Sequence, residues 1–422
     1  MHAISVHRSA RSSRLAVAVC AAFALGAIAA SGASAHTGEP RSVVKAGPYR
    51  IVISAGPVAV GRRSALAFRS TISERAGGAD VAGAAMRIAV SNRSGSLRGI
   101  YRVPGYGGIY FLNVPIPSAD SWRSLGYRIE VDGPLGAFGA EYVPPNLFDE
   151  WLFEPVVLAM AGLGSALFLH GFVRLRRRRR ADHASFGRLV LFALGLCFMV
   201  GPLVSPLDPI GDHYLLSAHM LQHVLIGDAG PALILLSVRG PLLFFTLPRR
   251  LLRILGHTAW VRRVAAWLLR PRVALGVWAL AYGGWHIPVL YDYATTHQVV
   301  HDFEHASFVV AGFLVWSLLI DPAGSSHLSR GRRLAVAASV FAMGTVISDI
   351  LVFSLHPLYP VYAEQAERIF SLSALRDQQL AGVVMSVEQG LTLGTFAAVL
   401  LVPALRDRRR QREFVAGRER LA

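Results

Sequence analysis

The stretch Tyr214–Val238, YLLSAHMLQHVLIGDAGPALILLSV, is an apolar run long enough to cross a bilayer as a helix, and it carries His219 and His223. A second apolar run begins with two histidines at the same spacing, His301 and His305. Residues four apart on a helix share one face, about 6 Å apart at Cβ, so each pair can reach a single ion or cofactor. Imidazoles are costly to bury in hydrocarbon without a partner. Two such pairs therefore predict a functional site inside a membrane.

The composition also indicates a membrane protein. Of 422 residues, 53% are hydrophobic and 16% are charged, and the mean hydropathy is +0.44. The net charge of +17 comes from arginine blocks beside the apolar runs, which indicates topology and a lipid partner and excludes nucleic acid as the expected partner. The fold is predicted to be mainly α, with a bundle of seven transmembrane helices at 150–173, 188–206, 214–238, 273–291, 302–320, 333–355 and 380–403.

The arginine distribution predicts the orientation of these helices. Clusters follow the first, third, fifth and seventh spans, whereas the loops on the other side carry only Arg368 and Arg376. Positive residues collect on the cytoplasmic side of membrane proteins. We therefore expect a multi-pass protein of the bacterial cell membrane, with its N-terminal domain outside and a basic cytoplasmic tail at 406–422.

The N-terminal part has a different pattern. Residues 1–35 resemble a secretory signal peptide, with Ala33-Ser34-Ala35 as the cleavage site, so the mature chain is expected to begin at His36. Between residues 36 and 145, short runs alternate apolar and polar residues and are separated by Gly and Pro clusters. This pattern predicts a small extracytoplasmic β-sandwich in front of the membrane domain at 146–405.

Several potential metal ligands fall at similar depths on the outer side of the predicted bundle. They are the two histidine pairs, with His286 in the fourth span and Met385 in the seventh. Imidazole and thioether without thiolate suit copper best, with zinc, ferrous iron and haem iron as other possibilities. Asp302 and Glu304 are candidates for hydrogen bonds to the ligand rings, although Glu304 could instead face an aqueous vestibule. Cys197 is expected to pack in the core.

These residues resemble the CtaG-type cytochrome c oxidase assembly factor family, which was first associated with caa-type oxidases. The similar pieces are the two histidine motifs, Trp285-His-Ile-Pro288, Pro357-Leu-Tyr-Pro360 and Asp377-Gln378. The resemblance covers residues 150–405 and implies a non-enzymatic, seven-span protein that supports maturation of an oxidase copper site. It implies copper as the metal, and oxidase subunits and a periplasmic copper donor as partners. It also implies six ligand candidates: His219, His223, His286, His301, His305 and Met385.

Two other classes remain open at the level of the sequence. Histidines on facing helices are also found in haem-binding membrane cytochromes, as axial ligands. A di-iron membrane oxygenase or desaturase also uses His-x-x-x-His boxes, but such enzymes usually have adjacent histidines, and no His-His dipeptide occurs here. A zinc protease is excluded because neither pair has the glutamate of the His-Glu-x-x-His motif.

Overall fold

The computed structural model describes residues 41–419, with gaps at 61–62, 76–78, 80, 82–83, 93–95, 104, 107–108, 118, 145, 150, 325–327 and 366. The expected signal peptide and His36 lie outside the described residues. The described chain consists of an N-terminal β domain followed by a helical domain.

The β domain contains two antiparallel sheets, which confirms the predicted sandwich. One sheet has the strand order β1-β2-β3-β7-β6 and the other has the order β5-β4-β8-β9. The strands are β1 Arg41–Ala46, β2 Tyr49–Val60, β3 Arg63–Glu74, β4 Ala85–Ser91, β5 Leu97–Val103, β6 Gly105–Tyr106, β7 Ile109–Pro115, β8 Gly126–Gly133 and β9 Gly136–Tyr142.

The alternating sequence pattern explains the core of this domain. Successive side chains of a strand point to opposite faces, so every second residue of β4 and β8 turns inward. Met86 and Ile88 from β4 and Ile129 and Val131 from β8 are buried in one apolar cluster with residues of the other sheet. Trp122, in a short 3-10 helix at Ala119–Ser124, is 1% exposed and completes this core.

The second domain is helical. Its helices are α1 Pro155–Arg177, α2 Phe186–Val204, α3 Leu207–His213, α4 Leu216–Val224, α5 Gly230–Ser237, α6 Pro241–Thr246, α7 Arg249–His257, α8 Ala259–Leu268, α9 Pro271–Trp285, α10 Pro288–Thr296, α11 Gln298–Ile320, α12 Arg330–Phe353, α13 Pro360–Ala363 and α14 Ala374–Glu419. A π turn at Leu225–Ala229 joins α4 to α5, which together form one span. No periodicity in the sequence predicts this turn.

Six helices of the described chain are long and apolar enough to cross a membrane, and a bent pair would make a seventh. The multi-pass membrane protein is therefore confirmed. The bent pair is α8 with α9, at an angle of 70°. The expected span at 273–291 is wrong at its far end, because α9 ends at Trp285 and α10 begins at Pro288. Proline has no N–H for the helix ladder, and it holds the preceding Ile287 in an extended conformation.

One residue of the α2 surface also differs from the expectation. Cys197 is exposed on the outside of the helix instead of packing in the core. Since α2 is one of the membrane-spanning helices, this thiol faces the region that lipid occupies. Cys197 is therefore not part of the bundle interior.

The β domain contacts one end of the helical bundle through Arg123. The guanidinium donates to Glu367 Oε1 at 3.0 Å and to the Tyr214 hydroxyl at 2.9 Å. Glu367 is only 4% exposed, so this ion pair is shielded from water more than a surface pair would be. A small apolar cluster that includes Leu147 and Ile369 lies at the same end. The histidine pairs lie near this end, because both α4 and α11 begin there.

Candidate metal centre

The N-terminus of α4 is fixed by a carboxylate from another helix. Asp377 of α14 accepts hydrogen bonds from the backbone N–H groups of Leu216 and Ser217, at 2.7 and 3.2 Å, and from the Ser217 hydroxyl at 2.5 Å. The first N–H groups of a helix have no partner within the helix, and a carboxylate satisfies them. Asp377 thereby sets the position of the first turn of α4, which carries His219.

The two histidine pairs meet between α4 and α11. His219, His223, His301 and His305 each offer one ring nitrogen, and these four atoms all lie within 4.8 Å of one another. The Nε2 atoms of His219 and His301 are 3.2 Å apart. We call these four residues the histidine cluster. Three of them are buried and His305 is half-buried.

The histidine cluster fits a bound metal ion. Tetrahedral ligands at about 2.0 Å from an ion are about 3.3 Å from each other, close to the His219–His301 separation. Both ring nitrogens of His223 and Nε2 of His305 are buried without a hydrogen-bond partner among the described residues. Buried polar atoms without partners cost free energy, and coordination of an ion would remove that cost.

Two tyrosine hydroxyls contact the Nδ1 atom of His219 and orient its ring. The Tyr291 and Tyr362 hydroxyls lie 2.8 and 2.9 Å from Nδ1 of His219 and 3.1 Å from each other. Burial is the main cause that raises the pKa of both hydroxyls well above the ordinary value, so each keeps its proton. Tyr362 donates that proton to the Gly211 carbonyl at 2.7 Å.

One proton arrangement uses all of these contacts. Tyr362 donates to Gly211, Tyr291 donates to Tyr362, and the Nδ1–H of His219 donates to a tyrosine oxygen. Nε2 of His219 is then unprotonated, and its lone pair faces the other histidines. A hydrogen bond to the far nitrogen of a ligand histidine commonly fixes its tautomer in this way.

Replacing both hydroxyls, as Tyr291→Phe plus Tyr362→Phe, is expected to weaken metal binding by roughly 10- to 100-fold, because His219 loses the partners that fix its tautomer. Titration of the purified protein with a metal ion measures this change. Tyr359→Phe is the matched control, because the Tyr359 hydroxyl donates to the His286 carbonyl at 3.1 Å and not to His219. Equal affinity in the double variant and the control would contradict the role of the hydroxyls.

Two carboxyl groups stand beside the histidine cluster. Asp212 Oδ1 lies 3.5 Å from Nε2 of His301, and Glu304 Oε1 lies 3.9 Å from Nε2 of His223. Burial, followed by the charge of Asp302, raises the pKa of Asp212 to about 7. Glu304 is fully buried, so the alternative in which it faces an aqueous vestibule is wrong. Asp302 accepts from Gln298 at 2.9 Å.

The other two ligand candidates lie outside the group of four ligand atoms. His286 follows the last residue of α9, and its Nδ1 is 2.6 Å from the Tyr282 carbonyl while its Nε2 has no partner among the described residues. Met385 is 2% exposed and packs in an apolar cluster with Leu216 and Met220. No nitrogen of His286 belongs to the four-nitrogen group, and Met385 stays a predicted ligand.

Sequence reasoning did not assign roles to several residues of this site. The family resemblance extends to Tyr291-Asp292 and Asp377 without a role for either tyrosine or carboxylate, and the sequence does not single out Tyr362 or Asp212. Their contacts join positions 143 to 161 residues apart for Tyr362 and Asp377. No local pattern predicts such pairs.

A cavity of about 270 Å³ leads to the histidine cluster from between α1, α2 and α11. Most of its lining is apolar, from helices such as α1 and α2, and its polar end contains His301, His305 and Asp212. The arrangement as a whole can bind one cation by four imidazoles, with carboxylates nearby to offset its charge and an internal space beside it.

One of the comparisons with known proteins gives a match. The family described as cytochrome c oxidase caa3 assembly factor (Caa3_CtaG) matches residues 166–407, which is more than half of the chain and includes all four members of the histidine cluster. The comparisons with curated proteins and with solved structures give no match. The chain therefore belongs to the family of cytochrome c oxidase caa3 assembly factors.

Proposed function

We propose that the chain handles copper during oxidase assembly: the histidine cluster holds a copper ion and passes it toward the copper site of the oxidase. The observation that carries this proposal is the convergence of four imidazole nitrogens within 4.8 Å inside a membrane bundle. Copper is then cargo of the protein, and no catalytic step is needed. Oxidase subunits and a periplasmic copper donor are the corresponding partners.

The ligand set supports copper over other metals. Imidazole suits copper, zinc, iron and nickel, and copper has the highest affinity of the divalent first-row metals for a given nitrogen site. Haem is disfavoured by the packing of the rings. Their centroids lie 4.2 to 6.0 Å apart, which leaves no space for a macrocycle between opposed axial ligands.

The position of the site supports delivery on the outer side of the membrane. The histidine cluster lies near the bundle end that the β domain contacts through Arg123. The arginines that end α1 and begin α12 lie at the other ends of their spans, and such residues favour the cytoplasm. In this orientation the β domain and the cluster face the compartment from which a periplasmic copper donor arrives.

Metal analysis of the purified protein tests the proposal. After loading with copper and removal of the excess, we expect one copper ion per chain and no Soret absorption band. The variant His219→Ala plus His223→Ala is expected to retain no bound copper, because half of the cluster is gone. His297→Ala, which removes an exposed histidine one residue before α11, is the matched control and keeps full copper content.

Two results would reject copper binding at this site. One is a double variant with the same copper content as the control. The other is a wild-type protein that contains haem and shows a Soret band, which would favour the membrane cytochrome instead.

A further inference from the structure

A pair of carboxyl groups lies deeper in the bundle than the histidine cluster. Asp228 in the π turn and Glu388 on α14 lie beside each other, within reach of a hydrogen bond between their carboxyl groups. The indole N–H of Trp316 on α11 donates to Asp228 Oδ1, and the hydroxyl of Thr392 on α14, next to both carboxyls, donates to the Glu388 backbone carbonyl at 3.1 Å. We call Asp228 and Glu388 the carboxyl pair. It is not part of the metal centre described above.

The hydrogen bond within the pair requires a proton. Ionised carboxylates only accept hydrogen bonds, so one member must be protonated to donate to the other. Asp228 accepts from the Trp316 N–H and faces Glu388, which suits an ionised carboxylate, and Glu388 is then the protonated donor. The pair thus carries one proton and one negative charge. No cation contacts either carboxyl among the residues that the structure describes.

A separate observation points to a role for this charge. The Tyr282 hydroxyl is beside the pair, and it is buried with no hydrogen-bond partner in the described part of the chain. Tyr282 is only 4% exposed. A buried donor held next to a buried carboxylate stabilises charge on that carboxylate, as does the Trp316 N–H on the other side. The surroundings of Asp228 are therefore built to hold a negative charge inside the membrane.

The π turn brings Asp228 to the same side of the span as the histidine cluster. Residues five apart in an α-helix point about 140° away from each other, whereas a π turn closes on the fifth residue. His223 packs against Phe308 of α11 at 4.5 Å between ring centroids, and Asp228 meets Trp316 of the same helix. Phe308 also packs against Tyr282 at 4.7 Å. Phe308 therefore lies between the histidine cluster and Tyr282, which stands beside the carboxyl pair.

We propose that Asp228 and Glu388 share one proton and that their single negative charge is a second counter-charge, beside the nearer carboxyl groups of Asp212 and Glu304, for a cation held by the histidine cluster. This inference rests on the proposed function for the identity of the cation. Asp228 is about 7 Å further along the span than His223 by axial rise. At such a distance, in a medium with an effective dielectric constant of about 20, a unit charge changes cation affinity on the order of 50-fold.

Two substitutions distinguish the effect of the negative charge on cation binding from the effect of the shared proton. Asp228→Asn removes the charge and is expected to weaken silver(I) binding to the purified protein about 50-fold, although no ligand is changed. Glu388→Gln is the matched control. Its amide can donate to Asp228 in place of the carboxyl proton, so the charge stays and silver affinity should remain within about twofold of wild type. Equal effects of the two variants, or wild-type affinity in Asp228→Asn, would overturn the counter-charge.

Infrared spectroscopy tests the shared proton independently of metal. Protonated carboxyl groups give a C=O stretching band, and one component of this band is expected in wild type at neutral pH and should be lost in Glu388→Gln. A band that is unchanged in Glu388→Gln would overturn the shared proton. Silver(I) should shift this band in wild type and not in His219→Ala plus His223→Ala, and a wild type that binds silver without a shift would overturn the coupling. If wild type binds no silver at all, the proposed function fails, while the band in Glu388→Gln still decides whether the pair holds a proton.

Discussion

Cells that carry His219→Ala plus His223→Ala are expected to insert the protein into the membrane and to lose most of their caa3-type oxidase activity when copper is scarce. Half of the histidine cluster is removed, and two ligands do not hold an ion against competing donors in the cell. The substitutions shorten buried side chains without adding a charge. Membrane insertion depends on the apolar spans, so it should not change.

Oxidase activity of isolated membranes, measured beside the amount of the protein in the same membranes, gives the result. Added copper should restore activity at least in part, because delivery is bypassed when the metal is abundant. Cells with His297→Ala are the control and should match wild type. Full activity of the double variant in copper-limited cells would mean that the histidine cluster does not serve the oxidase.

Gly312→Ala is expected to destabilise the bundle by about 3 kcal/mol, at the upper end of overpacking effects. A Cβ built on Gly312 of α11 would overlap the Gly227 carbonyl oxygen in the π turn, and Pro231 blocks movement nearby. Small residues allow such close helix contacts in membranes, where backbone atoms cannot give way. Any shift of α11 away from the π turn also moves His301 and His305 from the other pair.

Thermal unfolding of the detergent-solubilised protein measures this effect, and copper content of the folded fraction reports the displacement of α11. Gly276→Ala on α9 is the matched control, because a Cβ there has no neighbour within 4 Å. Alanine is a better helix former than glycine, so the control should gain about 0.5 kcal/mol or remain unchanged. Equal unfolding temperatures for the two variants would contradict the close contact between Gly312 and Gly227.

The spans and the histidine cluster could be predicted from the sequence because both follow from the periodicity and length of helices. Apolar length identifies a transmembrane helix, and the i, i+4 spacing places His219 with His223 and His301 with His305 on single faces. Their meeting also required α4 and α11 to begin at the same end of the bundle. The arginine pattern indicated this arrangement, because odd-numbered spans share one direction.

The remaining parts of the site depend on contacts that no local pattern encodes. Tyr362 contacts His219 from the short helix α13, far along the chain, and Asp377 caps α4 from a different helix. Gly227 lies inside the π turn at Leu225–Ala229 and Pro231 follows it, but neither residue distinguishes a π turn from a kink or a helix end. Pro288, in contrast, predicts the end of α9 near Trp285. The expected span to residue 291 did not take this proline into account.

The shortness of α9 has a consequence for the surrounding lipid. Its 15 residues rise about 22 Å, compared with about 30 Å for the hydrocarbon core of a typical bilayer. Tilting would shorten its reach further, and α8 turns away at 70° and so does not extend it straight across. Leu280 on α9 is 78% exposed and has only acyl chains to contact. Hydrophobic mismatch is therefore concentrated on one side of the bundle, where the bilayer must thin, and acyl-chain length becomes a determinant of the stability of this protein.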